Sequence, residues 1–255
     1  MKIITYNLNG IRAAMNRGWL DWVREHAFDI ICVQELKAEP GQLDVTLFDQ
    51  MGYHHYWHPA QKKGYSGVAI FSKIKPDNVV IGCGNNDYDC EGRVIRADYG
   101  DKSVYSIYFP SGTTGDLRQG VKYKFLDYIS THLKEVQKER KKLIVCGDYN
   151  IAHTPLDIHD PKGNKNSSGF LPEERAWMDT FYGSGYVDSL RFFNKDPHQY
   201  TWWSYRANAR ANNKGWRIDY IAVTENLSKD LVGAKIYPDA MHSDHCPQVL
   251  EMKWS

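Results

Sequence analysis

Ten short runs of apolar, β-branched and aromatic residues constrain this 255-residue chain more than any other feature. Runs of this kind, separated by turns or by helical patterns, are typical of buried strands. The predicted strands are Lys2–Tyr6, Asp29–Val33, Gly67–Phe71, Val79–Gly82, Val94–Asp98, Ser103–Phe109, Leu143–Cys146, Tyr200–Trp203, Ile218–Val223 and Gln248–Met252. Because no linker or abrupt change in composition divides them, we predict one domain over residues 1–255.

Helical periodicity falls between several of these strands. The predicted helices are Trp19–Ala27, Arg118–Lys138 and Glu173–Tyr182. Strands that follow one another between residues 67 and 109 indicate antiparallel pairing, whereas strand–helix–strand units at 2–33 and 103–146 indicate mixed sheets. Because helices must cover the outer faces of such sheets, the sequence predicts a layered α/β or α+β sandwich.

The composition excludes few functions. The net charge of +1 neither indicates nor excludes a nucleic-acid partner, since the field that matters is local. Aromatic residues reach 13%, which fits either a Trp/Tyr-rich core or a surface that meets bases and sugars. The five cysteines form no CxxC pair, so a zinc site or disulfide framework is not expected. Neither a secretory pattern nor a run of about 20 apolar residues is present, so we expect a cytoplasmic protein without a membrane span.

Polar side chains follow several of the predicted strands. Asn7 and Asn9 alternate after the first strand, where they could also be turn residues. Glu35 comes directly after a buried run, where a salt bridge with Lys37 is an alternative interpretation. Tyr108 ends another strand, and a lone tyrosine at such a position is usually a packing residue.

Further polar residues at strand ends strengthen the case for one site. Asp148 and Asn150 alternate after one apolar run, Asp219 begins another, and Asp244 and His245 precede the last. If these strand ends converge, the side chains form a single pocket. Carboxylates gathered without thiolates suit a hard divalent cation such as Mg²⁺.

Taken in order, these motifs resemble the exonuclease III family of apurinic/apyrimidinic (AP) endonucleases, within the endonuclease/exonuclease/phosphatase superfamily. The resemblance runs nearly end to end. It rests on segments 7–12, 34–37, 64–69, 91–93, 108–110, 147–153, 160–164, 169–170, 215–220 and 243–245.

The resemblance implies a four-layered α/β sandwich in which helices flank two packed mixed sheets. It also implies a DNA repair nuclease that cleaves duplex DNA 5′ to an abasic site, with 3′–5′ exonuclease or 3′-end-cleaning activity. The implied cofactor is Mg²⁺, which Mn²⁺ could replace. Glu35 is the implied main ligand, in a group with Asn7, Asn9, Asp148, Asn150, Asp244 and His245. A monomer is expected.

Catalytic roles follow from the same resemblance. Asp148 activates or orients the attacking water, and Asn150 positions it. Asp219 orients His245, which contacts the scissile phosphate. Tyr108 also reaches the phosphate. These roles suit phosphodiester hydrolysis, because the reaction builds negative charge that donors and a cation stabilise.

Candidate DNA contacts surround this group. In the family, an apolar region equivalent to Trp202, Trp216 and Ile218 accepts a flipped-out abasic sugar; the alternative is core packing, which we favour for Trp203. Candidates for phosphate contact are Arg118, Lys122, Lys162, Asn164, Arg206 and Arg210, some of which could be solvated surface charges.

The chain departs from the family pattern at Ser111–Gly112 and at Ser167–Ser168, where many relatives have asparagine. Both segments are expected near the DNA-facing rim, and the second could change the balance of exonuclease and AP endonuclease activity. Two other functions stay open. A sphingomyelinase or inositol-phosphate phosphatase would share the carboxylate and Asp–His residues, and a non-catalytic binding module would need none of them.

Overall fold

Over residues 1–254, which the computed structural model describes, twelve strands form two six-stranded sheets. The strands are β1 (Lys2–Asn7), β2 (Ile30–Gln34), β3 (His54–His58), β4 (Val68–Ser72), β5 (Asn78–Ile81), β6 (Val94–Tyr99), β7 (Lys102–Tyr108), β8 (Lys142–Asp148), β9 (Tyr186–Asp188), β10 (Asp219–Thr224), β11 (Leu231–Ile236) and β12 (Gln248–Met252). The helices are α1 (Ile11–Asn16), α2 (Trp19–His26), α3 (Thr46–Gln50), α4 (Asn86–Asp89), α5 (Asp116–Glu139), α6 (Pro172–Gly183) and α7 (Ser189–Phe193). Over these residues no helix combines the length and hydrophobicity that a membrane span requires.

Both sheets are mixed. The first has the order β11-β12-β1-β2-β4-β3 and the second β5-β6-β7-β8-β10-β9. The parallel pairs are β1–β2 and β7–β8, each joined by a helical crossover, and the other neighbouring pairs are antiparallel. The predicted mixed sheets are therefore confirmed, as is antiparallel pairing among β5, β6 and β7, whereas β4 and β5 lie in different sheets and do not pair.

Apolar side chains form three buried layers. Between the sheets, residues such as Ile3 and Val68 of the first sheet pack with Val104 and Ile144 of the second. Helices α1 to α3 cover the outer face of the first sheet, and α5 and α6 cover that of the second. Two sheets flanked by helices confirm the predicted four-layered sandwich.

Most predicted elements agree with the structure within a few residues, but the strand predicted at Tyr200–Trp203 is wrong. Only isolated bridges form there, from Trp202 to Trp216 and His245. Tyr200 and Trp203 pack into a small cluster of their own, so the aromatic pattern reflects burial and not a ladder. Strands β3, β9 and β11 were not predicted.

The topology brings the predicted site together at one end of the sandwich. The carboxyl ends of β1, β2, β7 and β8 lie there because each parallel pair runs in one direction, and β10 begins opposite the end of β8. Gly147 permits close packing at this end, since a Cβ on it would lie 2.2 Å from the Ile107 carbonyl oxygen.

Candidate active site

Three side chains from different strand ends form a group that could hold a metal ion. Glu35, Asp148 and His245 each offer a ligand atom, and these atoms lie within 4.8 Å of one another. Asp148 and His245 are buried, and Glu35 is partly exposed. Two carboxylates and an imidazole, with no thiolate, fit a divalent cation that prefers oxygen ligands.

Glu35 adopts a left-handed backbone conformation (φ 52°) directly after β2. Its Oε1 accepts a hydrogen bond from Asn7 Nδ2 at 2.8 Å, and its Oε2 lies 2.8 Å from Lys37 Nζ. Lys37 also donates to Asn9 Oδ1. The salt bridge considered as an alternative therefore exists, and it lies inside the site.

Asn7 joins two of the acidic groups. Its Nδ2 donates to Glu35 and, at 2.8 Å, to Asp148 Oδ2, while its Oδ1 accepts from the Asn9 amide at 2.9 Å. Because its Nδ2 donates to both carboxylates, Asn7 acts in this structure as a spacer that holds Glu35 and Asp148 together.

Asp244 lies at the edge of this group, outside the three candidate ligands. Its carboxylate accepts hydrogen bonds from Asn9 Nδ2 and Trp202 Nε1, both at 3.0 Å, and from Ser243 Oγ at 3.1 Å. Burial acts to raise the pKa of Asp244, but His245 and these donors lower it. Asp244 thus carries its charge close to the site while fixing Asn9 and Trp202.

Asp219 and His245 form a buried pair, with 2.8 Å between Oδ2 and Nδ1. The other carboxylate oxygen of Asp219 has no hydrogen-bond partner among the described residues. Burial acts to lower the pKa of His245, but the charge and hydrogen bond of Asp219, with Asp148 and Asp244, raise it to about 10. His245 is therefore an imidazolium at neutral pH, held by Nδ1 so that Nε2–H is free to donate.

Asp148 differs from the other carboxylates of the site. Burial and the neighbouring charge of Asp219 raise its pKa to about 7, with Glu35 adding and His245 opposing. Its Oδ1 accepts from the Asn150 amide at 2.9 Å, and Asn150 Nδ2 donates to Asp148 Oδ2 at 3.3 Å. A carboxylate with a pKa near neutral suits general-base chemistry.

Tyr108 ends β7 beside the same carboxylates. Burial raises its pKa well above the usual value, and the charges of Glu35 and Asp148 add to the effect. The Arg93 guanidinium lies 5.0 Å from the Tyr108 ring centre. Tyr108 therefore keeps its proton and remains a hydrogen-bond donor.

A cavity of about 720 Å³ opens over these groups. Trp202, Trp216 and Ile218 line one side of it, as the sequence predicts for the apolar region. The lining also includes both segments that depart from the family pattern, with Asp116 and Leu171 among their neighbours. Trp203 lies instead in a buried cluster, which confirms the packing interpretation.

The residues predicted to contact phosphate differ in how accessible the structure leaves them. The prediction that Lys122 contacts phosphate is wrong, because its side chain is fully buried in an ion pair with Glu174. Arg210 donates to the carbonyl oxygens of Pro238, Ala240 and Ser243, so its guanidinium fastens two loops.

The remaining candidates lie nearer the surface. Arg118 is partly exposed and pairs with Glu91. Asn164 donates to two carbonyl groups of its own turn, and Lys162 is exposed. Arg206 is exposed in a loop and not on a helix. DNA contact by these residues stays a prediction.

Sequence reasoning missed several residues that shape the site. Arg93 is buried, donates to the Tyr108 carbonyl and to Tyr65 Oη, and pairs with Glu91. Segments 64–69 and 91–93, which contain these residues, contribute to the family resemblance, but the sequence analysis gave these residues no role. Glu174 had a usable signal, since it stands at the third position of a helix that begins with proline, where an acidic side chain commonly caps backbone amides.

Comparisons with known proteins agree with this geometry. The Endonuclease/Exonuclease/phosphatase family matches residues 4–245. An exodeoxyribonuclease of Bacillus subtilis is 42% identical over 249 residues, which cover 97% of each chain. Thus the chain belongs to the endonuclease/exonuclease/phosphatase family, and it is an enzyme of the nuclease type.

Solved structures give the same result. An AP endonuclease from Archaeoglobus fulgidus superposes with a TM-score of 0.91 at 31% identity, covering 100% of both chains. The 3′ phosphatase NExo from Neisseria, bound to product DNA hairpin, gives 0.92 at 27% identity, again over 100% of both chains. The predicted resemblance is confirmed.

Proposed function

We propose that this protein is a Mg²⁺-dependent DNA repair nuclease that cleaves the phosphodiester bond 5′ to an abasic site in duplex DNA and also processes 3′ ends. The observation that carries the proposal is the convergence of Glu35, Asp148 and the Asp219–His245 pair beneath a cavity with an apolar wall. The names of the similar proteins, an exodeoxyribonuclease, an AP endonuclease and a 3′ phosphatase, support both activities.

In the proposed reaction, water attacks phosphorus and the bond from phosphorus to the 3′ oxygen breaks. Asp148 accepts a proton from the water, and the released 3′ oxygen takes a proton from solvent to become a 3′-hydroxyl. His245 Nε2–H and the Tyr108 hydroxyl donate to phosphate oxygens, whose negative charge grows in the transition state. When bound, Mg²⁺ would supply positive charge that stabilises the negative charge growing in the transition state.

Glu35 and Asp148 would hold the cation through their carboxylate oxygens, whereas His245, as an imidazolium, has no free lone pair for a metal and would contact the phosphate instead. Mn²⁺ has a similar ligand preference and would replace Mg²⁺. Asn150 would position the attacking water, because its side chain is fixed by the Phe109 carbonyl and by Asp148.

The apolar wall favours an abasic sugar. Trp202, Trp216 and Ile218 present mostly apolar surface to the cavity, and a nucleotide without a base leaves the stack at little cost. An enzyme acting on inositol phosphates, which carry no apolar group, would not need this wall.

The test uses two duplexes, one with a single abasic analogue and one with a recessed 3′ end, each with Mg²⁺ and with chelator. We expect Mg²⁺-dependent incision at the analogue and shortening of the recessed end. Cleavage of phospholipid or inositol phosphate without cleavage of either duplex would contradict the proposal. DNA binding without any cleavage would indicate a binding module.

Three further expectations belong to the proposal. The family match over residues 4–245 supports treating the chain as one domain. A monomeric state and a cytoplasmic location stay predictions. Light scattering of the purified protein checks the first of these two, and imaging of a tagged protein in its own cells checks the second.

A further inference from the structure

A buried ion pair lies beside the cavity and takes no part in the proposed chemistry. Lys122 of α5 and Glu174 of α6 have fully buried side chains, and their charged atoms are 2.5 Å apart. Burying two charges is costly unless further hydrogen bonds compensate them, and a pair of apolar side chains often packs equally well. The position of those further hydrogen bonds therefore indicates what the pair does.

The hydrogen bonds of Lys122 lead to the active site. Its Nζ donates to the Asn150 carbonyl oxygen at 2.8 Å. Asn150 has a left-handed backbone (φ 52°), and its amide and side chain contact Asp148 and Phe109. Because Lys122 holds the carbonyl, it fixes the peptide orientation that points the Asn150 side chain at the site.

The hydrogen bonds of Glu174 lead to the rim of the cavity. Its Oε2 accepts from the amides of Gly169 at 2.7 Å and Leu171 at 2.9 Å. Gly169 also has a left-handed backbone (φ 93°), and a Cβ on it would lie 3.0 Å from the Trp216 ring. Glu174 thus holds this part of the rim against the apolar wall.

A third contact extends the arrangement to the start of α5. Gln119 Nε2 donates to Glu174 Oε1 at 3.0 Å, and Gln119 Oε1 accepts from Ser168 Oγ at 2.7 Å. Gly112 lies so close that a Cβ on it would be 2.6 Å from Ser168 Oγ. Both segments that depart from the family pattern therefore meet at Gln119.

We propose that Lys122 and Glu174 are positioning residues that hold Asn150, the Ser168–Leu171 rim and Gln119 in one arrangement. This inference rests on the proposed function, because it assigns the pair to the placement of the attacking water and of the DNA nucleotide. Neither Lys122 nor Glu174 would contact the attacking water or the nucleotide directly. The pair acts through Asn150 and through the rim.

The test variant is Lys122→Met/Glu174→Gln, which removes both charges but keeps an oxygen for the Gly169 and Leu171 amides. The matched control is Arg140→Met/Asp98→Asn. Arg140 follows the other end of α5, pairs with Asp98 at 3.1 Å and likewise donates to carbonyl groups, those of Gly100 and Lys102.

Two measurements decide the inference. In the test variant we expect kcat on the abasic duplex to fall about 10-fold to 100-fold, since a small misplacement of a reacting group has effects of this size. KM should stay within about threefold, because the exposed DNA-facing charges are unchanged. Amide hydrogen exchange over residues 150–171 should become faster by about 10-fold or more. The control should show neither change, even where its thermal stability is lower.

Unchanged amide exchange over residues 150–171 would overturn the inference, and so would a normal kcat despite faster exchange. The exchange measurement needs no substrate. If the wild-type protein failed to cut abasic DNA, the proposed function would fail, and the exchange data would still decide whether the pair holds the rim and Asn150.

Discussion

Replacing Asp219 by asparagine tests the electrostatic design of the site. The change keeps an oxygen that accepts a hydrogen bond from His245 Nδ1 but removes the charge that raises the pKa of His245 from 6.5 to about 10. This shift corresponds to roughly 5 kcal/mol in favour of the imidazolium. Without it, burial still lowers the pKa of His245 and only Asp148 and Asp244 oppose burial, so the pKa falls well below its wild-type value. The variant enzyme then carries less imidazolium at pH 7.5 than the wild type.

Loss of the charged donor should lower kcat/KM on abasic duplex DNA at pH 7.5 by about 10²-fold to 10³-fold. The pH profile gives the sharper result. In the wild type, we expect activity to rise as Asp148 loses its proton near pH 7 and to hold until His245 deprotonates near pH 10. In Asp219→Asn, both limits move toward acid, since Asp219 raises both pKa values.

The assay is single-turnover incision between pH 5.5 and 9.5, together with an NMR titration of His245 in the metal-free protein. We expect the variant to be most active in acid and to lose activity through the neutral range. A variant that stayed fully active up to pH 9.5, or a wild-type His245 that titrated near pH 6.5, would refute the reasoning. Circular dichroism checks that the variant is folded.

Three further substitutions test separate parts of the structure. Asp148→Asn should lower cleavage by at least about 10²-fold with DNA binding largely kept, as measured by kcat and by a binding titration; near-normal turnover would remove its role as base. Glu35→Gln should raise the Mg²⁺ concentration for half-maximal activity by about 10-fold or more, read from a metal titration, and an unchanged midpoint would contradict ligation. Asp157→Asn should lower the free energy of unfolding at pH 7 by up to about 3–5 kcal/mol, because it removes one of the two carboxylates that pair with the buried Arg217 charge and leaves only Asp188. Burial acts to raise the pKa of Asp157, but Arg217 and Arg191 lower it, so in the wild type this stabilisation is complete above about pH 4 and is lost as pH falls further. Urea unfolding at pH 7 and at low pH measures both effects, and an equal loss of stability at the two pH values would argue against the ion pair.

The strands that sequence reasoning missed share one physical property. In the first sheet β3 and β11 are the edges, and β9 is an edge of the second. An edge strand is exposed along one side, so its sequence lacks the continuous apolar run that marks a central strand. In β11 the side chains are exposed or only partly buried along the whole strand. The central strands β1, β2, β8 and β10 were predicted because both of their faces are covered.

The same reasoning explains which site residues could be found in advance. Asn7, Glu35, Asp148 and Asp219 each stand at the end of a central strand, where a polar residue interrupts an apolar run, so the local sequence carries the signal. Their convergence then follows from strand direction. The sequence pattern could not show which side chains form hydrogen bonds and ion pairs with these residues.

Buried charges far from strand ends carry no comparable local signal. Lys122 lies on a helix with Arg118 one turn before it, and both appear in sequence as cations on the same face. In the fold, Arg118 stays partly exposed beside Glu91, whereas Lys122 is enclosed with Glu174, 52 residues away in the chain. A buried lysine needs an acidic partner, but the sequence shows neither that Lys122 is buried nor which acidic residue pairs with it. Only the packing of α5 against α6 selects Glu174 as the partner. As a result, Lys122 holds the Asn150 carbonyl oxygen and does not contact DNA.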